Sequence, residues 1–175
     1  FYEIASDVGF IAPEVIGHDA ERKQIYFNYI NNIHSTRNPY VQHMSYSSEC
    51  DYFELFYDVG CILAGIHKNL ELVFKENWAP CKEFDRVMMG KYGENYKNVL
   101  SDTPQAFIHC DYGFSNVHYR EVNGKKRIVI LDPCPNDFVT FHASTYASVY
   151  LDIANYTACL DGLLQVNKLI KLDWK

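Results

Sequence analysis

The chain has 175 residues, enough for one domain or a domain with part of another, and its 48% hydrophobic content argues against a disordered chain. A net charge of -6 argues against nucleic acid as the main partner, because a phosphate backbone calls for clustered Lys and Arg. The six cysteines are widely spread with no C-x-x-C pair, which argues against a zinc site and fits free thiols in a reducing, cytoplasmic compartment. No signal peptide is visible, and no apolar run approaches the ~20 residues of a membrane span, so no membrane partner is expected.

In chain order, "FYEIASDVGF" reads as a helix over 1–8 closed by Gly9. It lacks an initiating Met and reads as the tail of a helix already under way, so the chain is expected to be a piece of a longer protein. "APEVIGHD" predicts a short strand and turn, and "KQIYFNYI", residues 23–30, a second strand rich in aromatics. "NNIHSTRNPYVQHMSYSS" is polar and turn-rich and reads as a connector. A long helix is predicted over 51–70, with Phe53, Phe56, Tyr57, Gly60, Leu63, Ala64 and His67 recurring on one face and Ser47 or Ser48 as its cap. "KEFDRVMMGKYGENYKNVL" predicts one or two further helices, and "QAFIH" a short buried strand. "NVHYREVNGKKRIVILD" predicts a hairpin turning at Asn123-Gly124. Helices over 144–160 and 163–172 complete an α+β chain that is mostly helical with short strands.

The residues around that hairpin carry the chemistry. His109, Asp111 and Asn116 stand at H-x-D-x-x-x-x-N spacing just before it, and Asp132 ends it. A hairpin returns the chain to where it started, so Asn116 and Asp132 can approach each other at its mouth, with Asp111 on the loop before. Asn and Asp oxygens are hard ligands suited to Mg²⁺, which takes few protein groups and leaves room for phosphate oxygens. A carboxylate beside such a site can take a proton from an attacking hydroxyl. These are the parts of a phosphoryl-transfer site. His67, His118 and His142 are scattered and receive no role. Asp152 reads as a buried Asp capping a helix or loop.

"HCDYGFSN" followed by a hairpin and by "IVILDP" resembles the catalytic loop and metal segment of the aminoglycoside phosphotransferase and choline kinase group. Cys110 after the His, and Pro133-Cys134 after the second Asp, depart from protein kinases and favour the small-molecule branch. "DVGCILAGIHKN" and "YASVYLDIANY" resemble two further segments of that group, with Asp152 in the Asp position of the second. The resemblance spans roughly residues 1–165, and its specific part is confined to 107–155.

What the resemblance implies is a protein-kinase-like fold. Residues 1–32 would be the end of the small, nucleotide-binding lobe and the hinge, and 33–175 the helical large lobe. Asp111 would be the catalytic base and His109 the residue that holds its loop. Asn116 and Asp132 would hold Mg²⁺, and Tyr26, Phe27, Asn28, Tyr29 and Ile30 would meet the adenine of ATP. The acceptor would be a small-molecule hydroxyl on an amino sugar, sugar or amino alcohol, bound after Asp132 and around residues 81–100. The glycine-rich loop and the phosphate-binding Lys are not in the sequence, so most of the small lobe would be missing, and the chain alone is expected to bind ATP poorly. Glu3 is a weaker candidate for the Glu that pairs with that Lys. The alternatives are a protein or envelope-sugar kinase on the same fold, a non-catalytic kinase-like binding module, and a metal-dependent hydrolase with a carboxylate site, which would want more His and Asp ligands than converge here. No A-P-E stretch follows Asp132, which counts against a protein kinase, and the intact Asp111, Asn116 and Asp132 count against a decayed module.

Overall fold

A computed structural model describes residues 2–38, 52–74, 93, 102–109, 111–132 and 145–172. Helix α1, Tyr2–Val8, ends where Gly9 takes a φ of +94°. The Gly9 and Phe10 N–H groups both donate to the Ala5 carbonyl, which closes the last turn. Strands β1, Val15–Asp19, and β2, Gln24–Phe27, form a two-stranded antiparallel sheet. Strand β3, His34–Ser35, lies in the segment expected to be a connector. It pairs antiparallel with the later hairpin, through His34 with Tyr119 and Ser35 with His118. Two residues carry too little strand propensity to be read from sequence; the partner edge creates this strand.

Helix α2, Tyr52–Phe74, covers the predicted long helix. Its buried face is the expected one only in part: Leu63 is buried and Phe56 and His67 are half-buried, as that face requires. Leu55, Val59, Ile62, Leu63 and Ile66 are buried, whereas Phe53 and Tyr57 are 82% and 73% exposed and Gly60 and Ala64 are exposed. Both sets obey helical spacing. The aliphatic set packs against α1 and the strands, where close-packed volume decides the contact. Gly65 explains how near α1 comes, because a Cβ there would collide with Val8 Cγ1. The proposed caps Ser47 and Ser48 lie outside the described residues, as do the helices expected within 82–100 apart from Gly93.

Strand β4, Gln105–Ile108, is buried from its second residue onward, as expected. Strands β5, Val117–Val122, and β6, Lys125–Ile130, form the predicted hairpin, with Val117 opposite Ile130 and Val122 opposite Lys125. Asn123 and Gly124 have φ of +52° and +74°, the two left-handed positions of a type I′ turn. Ile11 adds a bridge beside Val129, so the chain after α1 is tied to the hairpin.

The C-terminal part departs from expectation twice. Residues 145–148 form strand β7, Thr145–Ser148, antiparallel to β4, and not the start of a helix. Helix α3 follows as one element, Tyr150–Leu172, running through Gly162 without the expected break. Buried Ser148 marks the boundary: its Oγ accepts from the Tyr150 N–H at 3.3 Å, as a capping hydroxyl does. The architecture is mixed α+β, with small antiparallel sheets and few helices among the described residues. One core joins Ile4, Phe10, Leu55, Ile66, Phe107, Val117 and Ile130. No helix among the described residues is long and apolar enough to cross a membrane.

Candidate functional site

The site is the loop between β4 and β5 together with the end of β6. The loop closes as a tight turn. Gly113 N–H donates to the Asp111 carbonyl at 2.9 Å, and the Asn116 and Val117 N–H groups donate to the Gly113 carbonyl at 2.9 and 2.8 Å. Three elements pin it. Tyr112 is fully buried and donates its hydroxyl to the Val59 carbonyl of α2 at 2.9 Å. Burial raises the Tyr112 pKa well above its ordinary value, so the phenol stays a donor. From β3, Ser35 Oγ donates to the Phe114 carbonyl at 3.0 Å, and just after β3 buried Thr36 Oγ1 donates to the Val117 carbonyl at 2.9 Å. From α3, Tyr156 donates to Thr36 Oγ1 at 3.1 Å, and its ring lies 5.3 Å from that of Phe114.

Within this frame His109, Asp111 and Asn116 meet directly. Asn116 is buried, and its Nδ2 donates to the Asp111 carbonyl at 3.0 Å and to Asp111 Oδ2 at 2.8 Å. Both amide protons are then used, and Oδ1 is left as an acceptor. Asp111 is half-buried and keeps contact with solvent. Asp132 is brought to the same place by backbone. Leu131 N–H donates to the Asn116 carbonyl at 2.9 Å, and the Leu131 carbonyl faces His109 Nε2 at 3.1 Å. Asp132 itself is exposed, with a φ of +46° that residues bearing a Cβ rarely adopt. Such strain persists only where surrounding structure imposes it, and it collects at functional sites.

His109 is buried, and its Nδ1 accepts from the Asp111 N–H at 3.3 Å. With Nε2 against a carbonyl, the pattern assigns a neutral ring protonated on Nε2. Burial holds its pKa below the ordinary value, against the opposing pull of Asp152, the Leu131 carbonyl, Asp111 and Asp132. Unfolding restores the ordinary ~6.5, so below that pH the unfolded chain takes the proton first. Stability is therefore full above about pH 6.5 and falls as the pH drops below it, by at most ~1.4 kcal/mol per pH unit for this one proton. The fall stops once the folded ring also protonates. Urea unfolding at pH 7.5 and 5.5 measures the loss, and His109→Gln should shrink it. Equal losses in the two proteins would rule out His109 as the source.

Asp152, on α3, is fully buried, and its Oδ2 accepts from the His109 N–H at 2.8 Å and pairs with His67 Nε2 at 2.9 Å. It holds the start of the loop between β4 and β5, which fits the buried Asp expected to cap a helix or loop. His67, which received no role from sequence, is the α2 side of that contact. Its sequence signals were its place on the periodic face of that helix and in the segment "DVGCILAGIHKN". Asn155 was also missed; its Nδ2 reaches Asp111 Oδ1 at 3.5 Å.

The strand expected to meet a nucleotide lies on the separate β1–β2 sheet. Tyr26, Phe27, Asn28 and Tyr29 are exposed there, Tyr29 at 90%, and Ile30 is half-buried. Asn28 ties the sheet, its Oδ1 accepting from the Glu14 N–H at 2.6 Å and its own N–H donating to the Glu14 carbonyl at 2.9 Å. Glu3 lies on α1. Cys61 and Cys159 are free thiols. The substrate region expected around 81–100, apart from Gly93, lies outside the described residues, as do Cys110, Pro133, Cys134 and His142. Among the described residues no three His, Cys, Asp or Glu side chains gather as a metal site; the candidate ligand pair is one Asn and one Asp. Comparison with protein-family models, curated proteins and solved structures finds no match.

Proposed function

We propose that this chain is an ATP- and Mg²⁺-dependent phosphotransferase of the aminoglycoside phosphotransferase and choline kinase kind. It would act in the cytoplasm on a hydroxyl of an amino sugar, sugar or amino alcohol. On this reading the fold is protein-kinase-like, with residues 1–32 ending the small lobe and 33–175 forming the large one. The observation that carries the proposal is the hydrogen-bonded set of His109, Asp111 and Asn116, joined through Leu131 to Asp132.

The residues fit the metal. Asn116 spends its amide protons on Asp111 and keeps Oδ1, and Asp132 offers an exposed carboxylate. Two hard oxygen ligands are what Mg²⁺ ordinarily takes from protein when phosphates and water supply the rest. When bound, the ion neutralises charge on the phosphates. Asp111 accepts the proton of the substrate hydroxyl as it attacks the γ-phosphate. Neutral His109 adds no charge to the site and holds the Asp111 backbone. The loop's ties to β3, α2 and α3 keep the carboxylate in place, which is where positioning contributes to rate. Residues Tyr26 to Ile30 would border the adenine.

Mn²⁺, which accepts the same oxygen ligands, tests the metal site directly. In NMR spectra, low Mn²⁺ should broaden the amide signals of Asp111, Asn116 and Asp132 before others, and Asp132→Ala should remove that selectivity. Broadening spread over other surface carboxylates, such as Asp19 and Glu21, would overturn the assignment.

A further inference from the structure

One face of α3 lies along the catalytic loop. Asp152, Asn155, Tyr156 and Cys159 stand three or four residues apart and so share that face. Each meets a different part of the loop. Asp152 holds the His109 N–H, and Tyr156 lies 5.7 Å from the Tyr112 ring. A Cβ on Gly113 would stand 3.4 Å from Cys159 Sγ and 3.6 Å from Asn155 Nδ2. Asn155 is the member that reaches the reacting carboxylate.

The two oxygens of Asp111 are engaged by two different amides. Oδ2 accepts from Asn116 at 2.8 Å and Oδ1 from Asn155 at 3.5 Å. A single donor leaves a carboxylate free to turn about its terminal bond, where the torsional preference is broad. A second donor, from an element rooted elsewhere in the fold, fixes the plane. The Asn155 contact is long, as hydrogen bonds of catalytic groups often are before substrate binds.

We propose that Asn155 is a positioning residue that sets the carboxylate plane of Asp111 through its Nδ2–Oδ1 contact. This rests on the phosphotransferase reading, in which Asp111 is the base. Asn155 itself touches no reacting atom. It acts on the orientation of the proton acceptor, and thus on the transition state more than on nucleotide binding.

The test is steady-state turnover of Mg-ATP by the whole protein, with water as acceptor, for the unaltered chain, Asn155→Ala, Asp111→Asn and the double variant. Asn155→Ala should lower kcat by ~10- to 100-fold, the scale of a misplaced catalytic group. KM for Mg-ATP and the unfolding midpoint should hardly move. In the Asp111→Asn background, removing Asn155 should cost little more, because the two act as one unit. Unchanged kcat in Asn155→Ala, a change confined to KM, or an independent loss in the double variant would overturn the positioning role alone. The measurement is made on the chain extended upstream to include the glycine-rich loop and the phosphate-binding Lys; if that protein turns over no Mg-ATP, the phosphotransferase reading falls and this role with it.

Discussion

Asp111→Asn is expected to lower phosphoryl transfer by ~10²- to 10⁴-fold, the usual worth of a positioned general base. The substitution keeps the shape of the side chain. Its remaining carbonyl oxygen can still accept from Asn116 Nδ2, which lies 2.8 Å from Oδ2 in the native loop. The backbone contacts of the loop, Asp111 N–H to His109 Nδ1 among them, are untouched. What disappears, on the proposed function, is the group that takes a proton from the attacking hydroxyl. The loss should therefore fall on kcat, with Mg-ATP affinity and thermal stability nearly unchanged. Kinetics together with calorimetric titration of Mg-ATP separates the two. A variant that keeps its kcat would remove Asp111 from the base role.

Asp152→Ala should give the largest loss of stability of any polar substitution near the site. Its carboxylate is fully buried and bonded to the His109 N–H and to His67. Truncation leaves those two groups facing a gap in a region closed to water. Leaving two buried donors without their acceptor costs about 2–6 kcal/mol, at ~1–3 kcal/mol each. At ~2–4 °C per kcal/mol for a chain of this size, the midpoint should fall by roughly 4–24 °C. Asp152→Asn should lose less, because it retains an oxygen for the His109 N–H. Circular dichroism melting of the three proteins checks the order. A midpoint for Asp152→Ala equal to that of the unaltered chain would mean that His67 and His109 do not depend on this carboxylate.

The proposed site was legible because its parts are near in sequence. His109, Asp111 and Asn116 are at most seven residues apart, and the Asn123-Gly124 turn brings Asp132 back to them. The sequence by itself also determined the stop at Gly9, the buried strand before the loop, the existence of the long helix and the hairpin register. Each follows from local rules: a glycine free to take positive φ, an apolar run, a helical period, a two-residue turn.

Only the tertiary structure decided the rest. It turned α2 so that Leu55, Val59, Ile62 and Ile66 face the core and Phe53 and Tyr57 face outward, because the choice depends on which surface the core can pack. It made strands of residues 34–35 and 145–148, whose partners lie on β5 and β4. It joined His67 to Asp152 across 85 residues, Thr36 to Val117 across 81 and Asn155 to Asp111 across 44. These contacts leave no periodic trace in the chain. A polar side chain buried without its partner costs free energy, and the partner is supplied by an element far away in sequence. The chain therefore announces its chemistry locally, while the groups that hold that chemistry in place appear only once the distant elements have packed.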